Sequence, residues 1–162
     1  MTELKSNQMQ SNLSSVGERH YLIAMITALA NRMQAVGDTA FEELTWKQWF
    51  ALLGVSVFER PPAITQVAEL IGTSHQNTKQ LMLRLQKAGF VNLSKDPEDQ
   101  RRTLVHITER EQSFKQKYQK GSEEYIQSIY RGITEEEVQI TRSVLARMDR
   151  NLQSYANRQK EE

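Results

Sequence analysis

The sequence contains no cysteine, which excludes disulfide bonds, thiolate metal sites and a cysteine-based redox sensor. Long apolar runs are also missing. None approaches the roughly 18 residues that a membrane-spanning helix needs, and the polar start MTELKSNQMQSN has no signal-peptide core. The absence of a long apolar run and of a signal-peptide core predicts a soluble cytoplasmic protein with no membrane partner.

A large net charge is lacking as well. Lysine and arginine total 21 against 20 aspartates and glutamates, so an anion-binding surface must come from local clustering. Apolar residues make up only 38% of the 162 residues, which is low for a compact globule of this size. The low apolar content indicates an elongated chain, or a core that a second chain completes.

Sequence motifs for catalysis and metal binding are absent. The histidines His20, His75 and His106 are far apart and form no HxxxH or HxxxE pair. No nucleophile–base constellation, phosphate-cradling glycine loop or pair of carboxylates in an apolar setting stands out. We therefore expect no enzymatic activity, no metal site and no cofactor.

Helical periodicity is what the sequence does contain. Apolar residues at spacings of three and four predict a helix over about residues 15–36, with Gly37 as its C-terminal cap. A second helix is expected to start with a Thr45–Gln48 capping box. Prolines at 61 and 62 interrupt the chain after it, because proline cannot sit inside a helix.

Two short helices and a hairpin are expected next. Thr65 and Ser74 are the predicted N-caps of the helices, and Gly72 and Gly89 their ends. Only Gly72 and Thr73 separate the two helices, which is the layout of a helix-turn-helix. The segments FVNLS and RTLVHI are short and β-rich, and they predict the hairpin.

Two further helices complete the chain. Each is expected to begin with a capping box, Thr108 with Glu111 and Thr134 with Glu137. The predicted fold class is therefore mostly α with a small β-hairpin wing: a winged helix-turn-helix with long N- and C-terminal helices that serve dimerisation.

The exposed face predicted for the second short helix suits DNA. The stretch from Ser74 to Lys87 inclusive contains three basic residues and no acidic residue. Amide and ammonium groups match base edges in the major groove, and backbone N–H groups at the helix start suit a phosphate. A plain solvated face is the alternative. The residues on this face are His75, Gln76, Lys79, Gln80 and Lys87.

The loop KDPEDQRR joins the two predicted strands and combines three acids with two arginines. Asp96 and Pro97 are expected to turn the chain. Asp99 precedes Arg101 by two residues, so its carboxylate can hold the guanidinium through a charge-assisted hydrogen bond. We expect Arg101 to enter a narrow minor groove and Arg102 to contact phosphate. Two surface arginines in a turn are the alternative. The predicted DNA-binding wing comprises Lys95, Asp99, Arg101 and Arg102.

The stretch ITQVAELIGTSHQNTKQLMLRLQKAGFVNLSKDPEDQRRTLVHITERE resembles the MarR family of bacterial transcriptional regulators. The most specific element is Asp-Pro-x-Asp-x-Arg after a helix-turn-helix, and the resemblance spans about residues 15–155. It implies a homodimeric DNA-binding protein, with the Ser74 helix in the major groove and Arg101 in the minor groove. The family often carries arginine or lysine at the position of His75, so the operator cannot be carried over from a relative. The DNA contacts implied for the helix are Ser74, His75, Gln76, Asn77, Lys79 and Gln80.

The apolar stripes of the terminal helices are too long for a domain of this size to bury. A two-fold dimer through both ends would cover them, and its two recognition helices would lie about one DNA turn apart on a pseudo-palindromic operator. The predicted interface residues are Ile126, Ile129, Leu145, Met148 and Leu152. The predicted division is a mobile tail (1–14), an N-terminal dimerisation helix and connection (15–44), a winged helix-turn-helix DNA-binding lobe (45–108) and C-terminal dimerisation helices (109–162).

A small aromatic or phenolic effector is a further implication of the resemblance. Arg19, His20, Trp46 and Trp49 are the candidates to line its pocket, although the tryptophan pair also fits plain core. The predicted function is a sequence-specific double-stranded DNA-binding transcriptional regulator. It acts as a homodimer, is released by the ligand, and represses, as is common in the family. The alternative is a winged-helix protein–protein interaction module without DNA binding.

Overall fold

The computed structural model describes residues 17–161. The tail predicted at residues 1–14 and the start of the helix predicted from residue 15 lie outside the described residues. The order of elements is the predicted one, and the fold is mostly α with a two-stranded hairpin. The elements are α1 (Glu18–Gly37), α2 (Trp46–Ser56), α3 (Ile64–Leu70), α4 (His75–Lys87), β1 (Val91–Lys95), β2 (Thr103–Ile107), α5 (Glu109–Ile129) and α6 (Glu135–Glu161).

Two compact units divide the chain, the first ending at Tyr118 and the second beginning at Gln119, both positions within α5. The first unit contains α1, the helix-turn-helix and the hairpin. The second contains the rest of α5 and α6. None of the described helices combines the length and apolar character needed to cross a membrane.

The core of the first unit lies where the hairpin returns onto α2, α3 and α4. Phe90, Val91 and Val105 of the hairpin region are fully buried, as are Met82 and Leu85 of α4. Burying side chains of this size stabilises the fold by about 1.5–3 kcal/mol each. The core therefore fixes the hairpin against α4, the two elements that the sequence assigns to DNA.

Two of the predicted capping boxes are confirmed. The backbone N–H of Gln48 donates to Thr45 Oγ1 at 3.3 Å, and Gln48 Oε1 accepts from the N–H of Thr45 at 2.9 Å. Glu137 and Thr134 make the reciprocal pair at the start of α6, at 3.3 and 2.7 Å. The hydrogen bonds from Thr134 hold the pKa of Glu137 below its ordinary value.

The prediction of Thr65 as the cap of α3 is wrong. The helix begins at Ile64 with Ala63 as its N-cap, and the Ala63 N–H donates to Gln66 Oε1 at 2.8 Å. The earlier start has a tertiary cause, because Ala63 pairs with Leu104 of the hairpin in a β-bridge. The hairpin therefore sets the first residue of the helix.

The capping box predicted for Thr108 and Glu111 is also wrong. The Thr108 hydroxyl donates to the carbonyl oxygen of Gly89 at 2.7 Å, and the Glu111 N–H donates to the Thr108 carbonyl at 3.2 Å. The buried Glu111 carboxylate pairs with Lys115 instead. The return of β2 brings Thr108 next to the end of α4, and the hydroxyl is used there.

Gly37 is not the C-terminal cap that the sequence predicts, because Asp38 occupies that position. It lies in the last turn of α1, and the following Asp38 has a helical φ of −65°. A Cβ at Gly37 would overlap the indole ring of Trp46. Asp38 Oδ1 accepts from the Trp46 N–H at 2.7 Å, so this close approach joins the end of α1 to the start of α2.

An apolar stripe on the second unit faces solvent in the single chain. Four of the five predicted interface side chains are between 36% and 66% exposed, and Ile129 is half-buried. The exposed four are Ile126, Leu145, Met148 and Leu152. Their role in dimerisation stays a prediction.

Candidate nucleic-acid interface

The turn between α3 and α4 is tight and depends on one glycine. Gly72 has a φ of +67°, a left-handed conformation that glycine adopts without steric cost. The Thr73 N–H donates to the carbonyl oxygen of Ala68 at 3.0 Å and closes the turn. Ser74 then caps α4, and its hydroxyl accepts from the Asn77 N–H at 3.2 Å. The predicted helix-turn-helix is confirmed in its geometry.

Helix α4 has one buried and one exposed face. Thr78, Met82 and Leu85 are buried, and the Thr78 hydroxyl donates to the Ser74 carbonyl at 3.0 Å. The side chains assigned to DNA are all exposed: Ser74, His75, Gln76, Asn77, Lys79 and Gln80. The exposed side chains assigned to DNA are thus all polar or basic, and no acidic residue lies on α4, although Leu83 of the same helix is also exposed.

The wing is a regular antiparallel hairpin with a closed loop. Val91 pairs with Ile107 at one end and Lys95 with Thr103 at the other. The Asp96 N–H donates to the carbonyl oxygen of Arg102 at 3.2 Å. Asp96 is buried, and its Oδ1 accepts from the Glu98 N–H at 3.0 Å. The predicted role of Asp96 in the turn is confirmed, since its side chain bonds the backbone of the loop.

The contact predicted between Asp99 and Arg101 is present. Asp99 Oδ1 accepts from both the backbone N–H and the Nε of Arg101, each at 3.1 Å. The pKa of Asp99 lies below its ordinary value. The hydrogen bond from the Arg101 side chain is the largest cause, and the hydrogen bond from the Arg101 backbone is the next. The Arg101 side chain is 92% exposed. One carboxylate oxygen thus orients an arginine that otherwise projects into solvent.

Arg102 has partners within the protein that the sequence did not reveal. Its Nη1 lies 3.5 Å from Asp96 Oδ2, and its Nη2 donates to Gln66 Oε1 at 3.4 Å. Gln66 was missed by the sequence analysis. Its spacing from Ala63 could have marked it as a capping residue, but no sequence pattern could have placed it beside Arg102.

A cavity of about 460 Å³ lies beside α4. It is lined by two of the predicted DNA-contacting side chains, two cations, three apolar side chains and one threonine: Lys47, Phe50, Ile71, Thr73, Asn77, Gln80, Leu81 and Arg84. Lys47 belongs to α2, so the basic character around α4 extends beyond the helix itself.

The candidate effector residues do not converge within one chain. Trp46 and Trp49 lie together, with ring centroids 4.6 Å apart, and Trp46 packs on Gly37 at the end of α1. Arg19 and His20 are exposed at the start of the same helix. At about 1.5 Å per residue, His20 is roughly 26 Å along the axis from Gly37. The effector pocket as a set of four stays a prediction.

The described part of the chain contains no metal-binding group of side chains. Among residues 17–161, no group of three or more histidine, aspartate or glutamate side chains is placed to hold a metal ion.

Comparison with known proteins finds transcriptional regulators among the similar proteins. No family model matches the sequence. The HTH-type transcriptional regulator YfiV of Bacillus subtilis is 35% identical over 83 residues, which cover 44% of this chain and 52% of YfiV. The match thus spans about half the length of that relative.

Two solved structures share the fold over most of their length. The MarR protein from Peptoclostridium difficile superposes with a TM-score of 0.73 at 18% identity, over 83% of this chain and 88% of that one. The PcaV transcriptional regulator from Streptomyces coelicolor, solved with its natural ligand, superposes with a TM-score of 0.68 at 18% identity, over 83% and 93%. The chain therefore has the winged-helix fold of MarR-type transcriptional regulators, and the resemblance to the MarR family read from its sequence is confirmed.

Proposed function

We propose that the protein is a transcriptional regulator that binds double-stranded DNA in a sequence-specific manner. The observation that carries the proposal is the oriented Arg101 at the tip of the wing, held by Asp99 and 92% exposed. Alongside it, α4 presents an exposed face without an acidic residue. The names of the matched relatives support regulation of transcription.

Binding divides between two grooves in this proposal. The N-terminal half of α4 enters the major groove, where the amides of Gln76, Asn77 and Gln80 can bond adenine and Lys79 can reach guanine or phosphate. Arg101 enters the adjacent minor groove, where a narrow width deepens the negative potential. Because Asp99 already orders the Arg101 side chain, less conformational entropy is lost on binding.

The functional unit in this proposal is a homodimer on a pseudo-palindromic operator. The solvent-facing apolar stripe on α6 supports a second copy as its cover, and a two-fold pair would present two recognition helices. Bound at a promoter, such a dimer represses. Release by a small aromatic ligand is part of the proposal, since PcaV was solved with its natural ligand.

Asp99→Asn gives the sharpest test, because a pure net-charge effect and an orienting role of Asp99 predict opposite changes in DNA affinity. Removing an acid near phosphates should raise DNA affinity if only net charge matters. If Asp99 orients Arg101, affinity should instead fall, and Arg101→Ala should lower it by about 1–3 kcal/mol. Titrations in a gel-shift assay, on duplexes that the wild-type protein selects from a random library, measure both.

Arg142→Ala is the matched control, since it removes one exposed positive charge from α6 rather than from the wing. Equal losses for Arg142→Ala and Arg101→Ala would reduce the effect to net charge. An unchanged affinity for Arg101→Ala would remove the wing from the interface.

Gln76→Ala and Asn77→Ala should relax sequence preference more than they weaken non-specific binding, because base contacts specify and phosphate contacts position. Competition between selected and random duplexes measures the ratio. Equal losses on both duplexes would make these side chains phosphate contacts.

Salt dependence separates DNA binding from the protein-binding alternative. Neutralising phosphates releases counterions, so retention on heparin should fall steeply as salt rises. Weak and salt-insensitive retention would favour a winged helix that binds another protein.

A further inference from the structure

The wing is attached to the start of α3 by backbone contacts. The Val105 N–H donates to the carbonyl oxygen of Pro62 at 2.9 Å, and Ala63 forms a β-bridge with Leu104. Ala63 is also the N-cap of α3. The stem of the hairpin is therefore fixed at the first turn of the helix-turn-helix, but these bonds end at Leu104 and do not reach the loop that carries Arg101.

Side chains continue the attachment toward the loop. Gln66 lies in the first turn of α3, and its Oε1 accepts from the Ala63 N–H at 2.8 Å and from Arg102 Nη2 at 3.4 Å. The other end of the Arg102 guanidinium lies 3.5 Å from Asp96 Oδ2. One amide oxygen thus joins the cap of α3 to the loop of the wing.

Asp96 makes this series of contacts rigid. It is only 8% exposed, its Oδ1 accepts from the Glu98 N–H, and its own N–H donates to the Arg102 carbonyl. A guanidinium held by a buried carboxylate and by a capping amide loses less freedom than an isolated surface pair, because each partner is already ordered. The geometry therefore constrains Arg102 from both sides.

We propose that Gln66 is a positioning residue, and that Arg102 docks the wing onto α3 through Gln66 and Asp96. Arg102 is thereby reassigned from a phosphate contact to a brace that sets the distance between Arg101 and α4. The consequence for DNA affinity rests on the proposed function. The docking itself does not, and it can be measured without DNA.

Amide hydrogen exchange of the free protein, followed by NMR, tests the docking. Gln66→Met removes the shared acceptor, whereas Gln66→Glu keeps an acceptor oxygen for both Ala63 and Arg102. Exchange at the Asp96 and Glu98 amides should rise about fivefold in Gln66→Met, the effect of one lost hydrogen bond, and stay near wild type in Gln66→Glu.

A double-mutant cycle separates docking from helix capping. Arg102→Met should accelerate the same wing amides, and adding Gln66→Met should cause no further acceleration there, since both changes break one link. Acceleration confined to the α3 amides in Gln66→Met, with unchanged wing amides, would leave Gln66 a helix cap and overturn the proposal.

The salt dependence of DNA binding distinguishes a brace from a phosphate contact. The probe is the duplex that the wild-type protein selects. Arg102→Met and Gln66→Met should each weaken binding with an unchanged slope of log K against log salt. A slope shallower by about 0.9 in Arg102→Met alone would identify a phosphate contact and overturn the reassignment. If the wild-type protein binds no duplex, the proposed function fails, while the exchange data still decide the docking.

Discussion

Tertiary contacts explain the identity of single residues in this chain. Gly37 is the last residue of α1, and in a helix interior alanine is the better helix former by about 1 kcal/mol. It is nevertheless glycine, because the ring of Trp46 occupies the space of a Cβ. Gly121 lies in α5, where an added Cβ would have no neighbour within 4 Å other than its own stretch of helix, so only helix propensity applies there.

Gly37→Ala and Gly121→Ala should therefore change stability in opposite directions. Overpacking against Trp46 should lower the free energy of unfolding by about 1–3 kcal/mol in Gly37→Ala. Gly121→Ala should raise it by about 0.5–1 kcal/mol. Urea unfolding of the two variants measures both changes, and a stabilised Gly37→Ala would contradict the close approach of Trp46.

Tertiary contacts influence how the helices of the first unit begin. The capping motifs in the sequence match the observed caps only in part. Thr45 and Ser74 cap α2 and α4 as their sequences predict. Thr65 and Thr108 carry similar signals but do not cap. Ala63 is held by the hairpin, and the Thr108 hydroxyl is taken by the Gly89 carbonyl. A capping motif thus predicts a hydroxyl cap only where that hydroxyl has no stronger partner, and α5 still begins directly after Thr108.

Thr45→Ala and Thr65→Ala test the difference between a motif and a working cap. Thr45→Ala should lower the free energy of unfolding by about 1 kcal/mol, the usual contribution of an N-cap hydroxyl. Thr65 is exposed, and its replacement by alanine should stay within about 0.5 kcal/mol. Chemical denaturation of the pair measures both, and equal losses would restore Thr65 as a cap.

At the scale of the whole molecule, the first unit has a hydrophobic core of its own, whereas the second unit has little hydrophobic core. Core side chains of the first unit are close to fully buried, whereas α6 keeps Leu145, Met148 and Leu152 exposed. The low apolar content of the sequence agrees with this distribution. A second copy of the chain is the cover that we propose for the exposed stripe.

If the chain folds as a dimer through α6, its melting temperature should rise with protein concentration, because association stabilises the folded state by mass action. Leu152→Glu should remove this dependence and shift sedimentation toward the monomer. Leu83→Glu, at an exposed leucine of α4, should leave the oligomeric state unchanged. A concentration-independent melting temperature and a monomer at every concentration would contradict the dimer.

Local patterns determined much of the fold. Helical spacing, the two-residue turn at Gly72 and the β-rich segments set the number and order of the elements, since each pattern acts over a few residues. The sequence also predicted the Asp99–Arg101 bond, because two residues of separation bring the groups within reach. These features depend on neighbours along the chain, and neighbours are what a sequence shows.

Tertiary structure alone decided the features that join distant segments. Gln66 meets Arg102 across 36 residues, and Thr108 bonds Gly89 across 19. Trp46 explains Gly37 only because α2 turns back onto the end of α1. The same holds for Arg19 and His20, which share a helix with Gly37 yet lie far from the tryptophan pair. Packing brings such groups together or keeps them apart, and no spacing rule along the chain encodes that outcome.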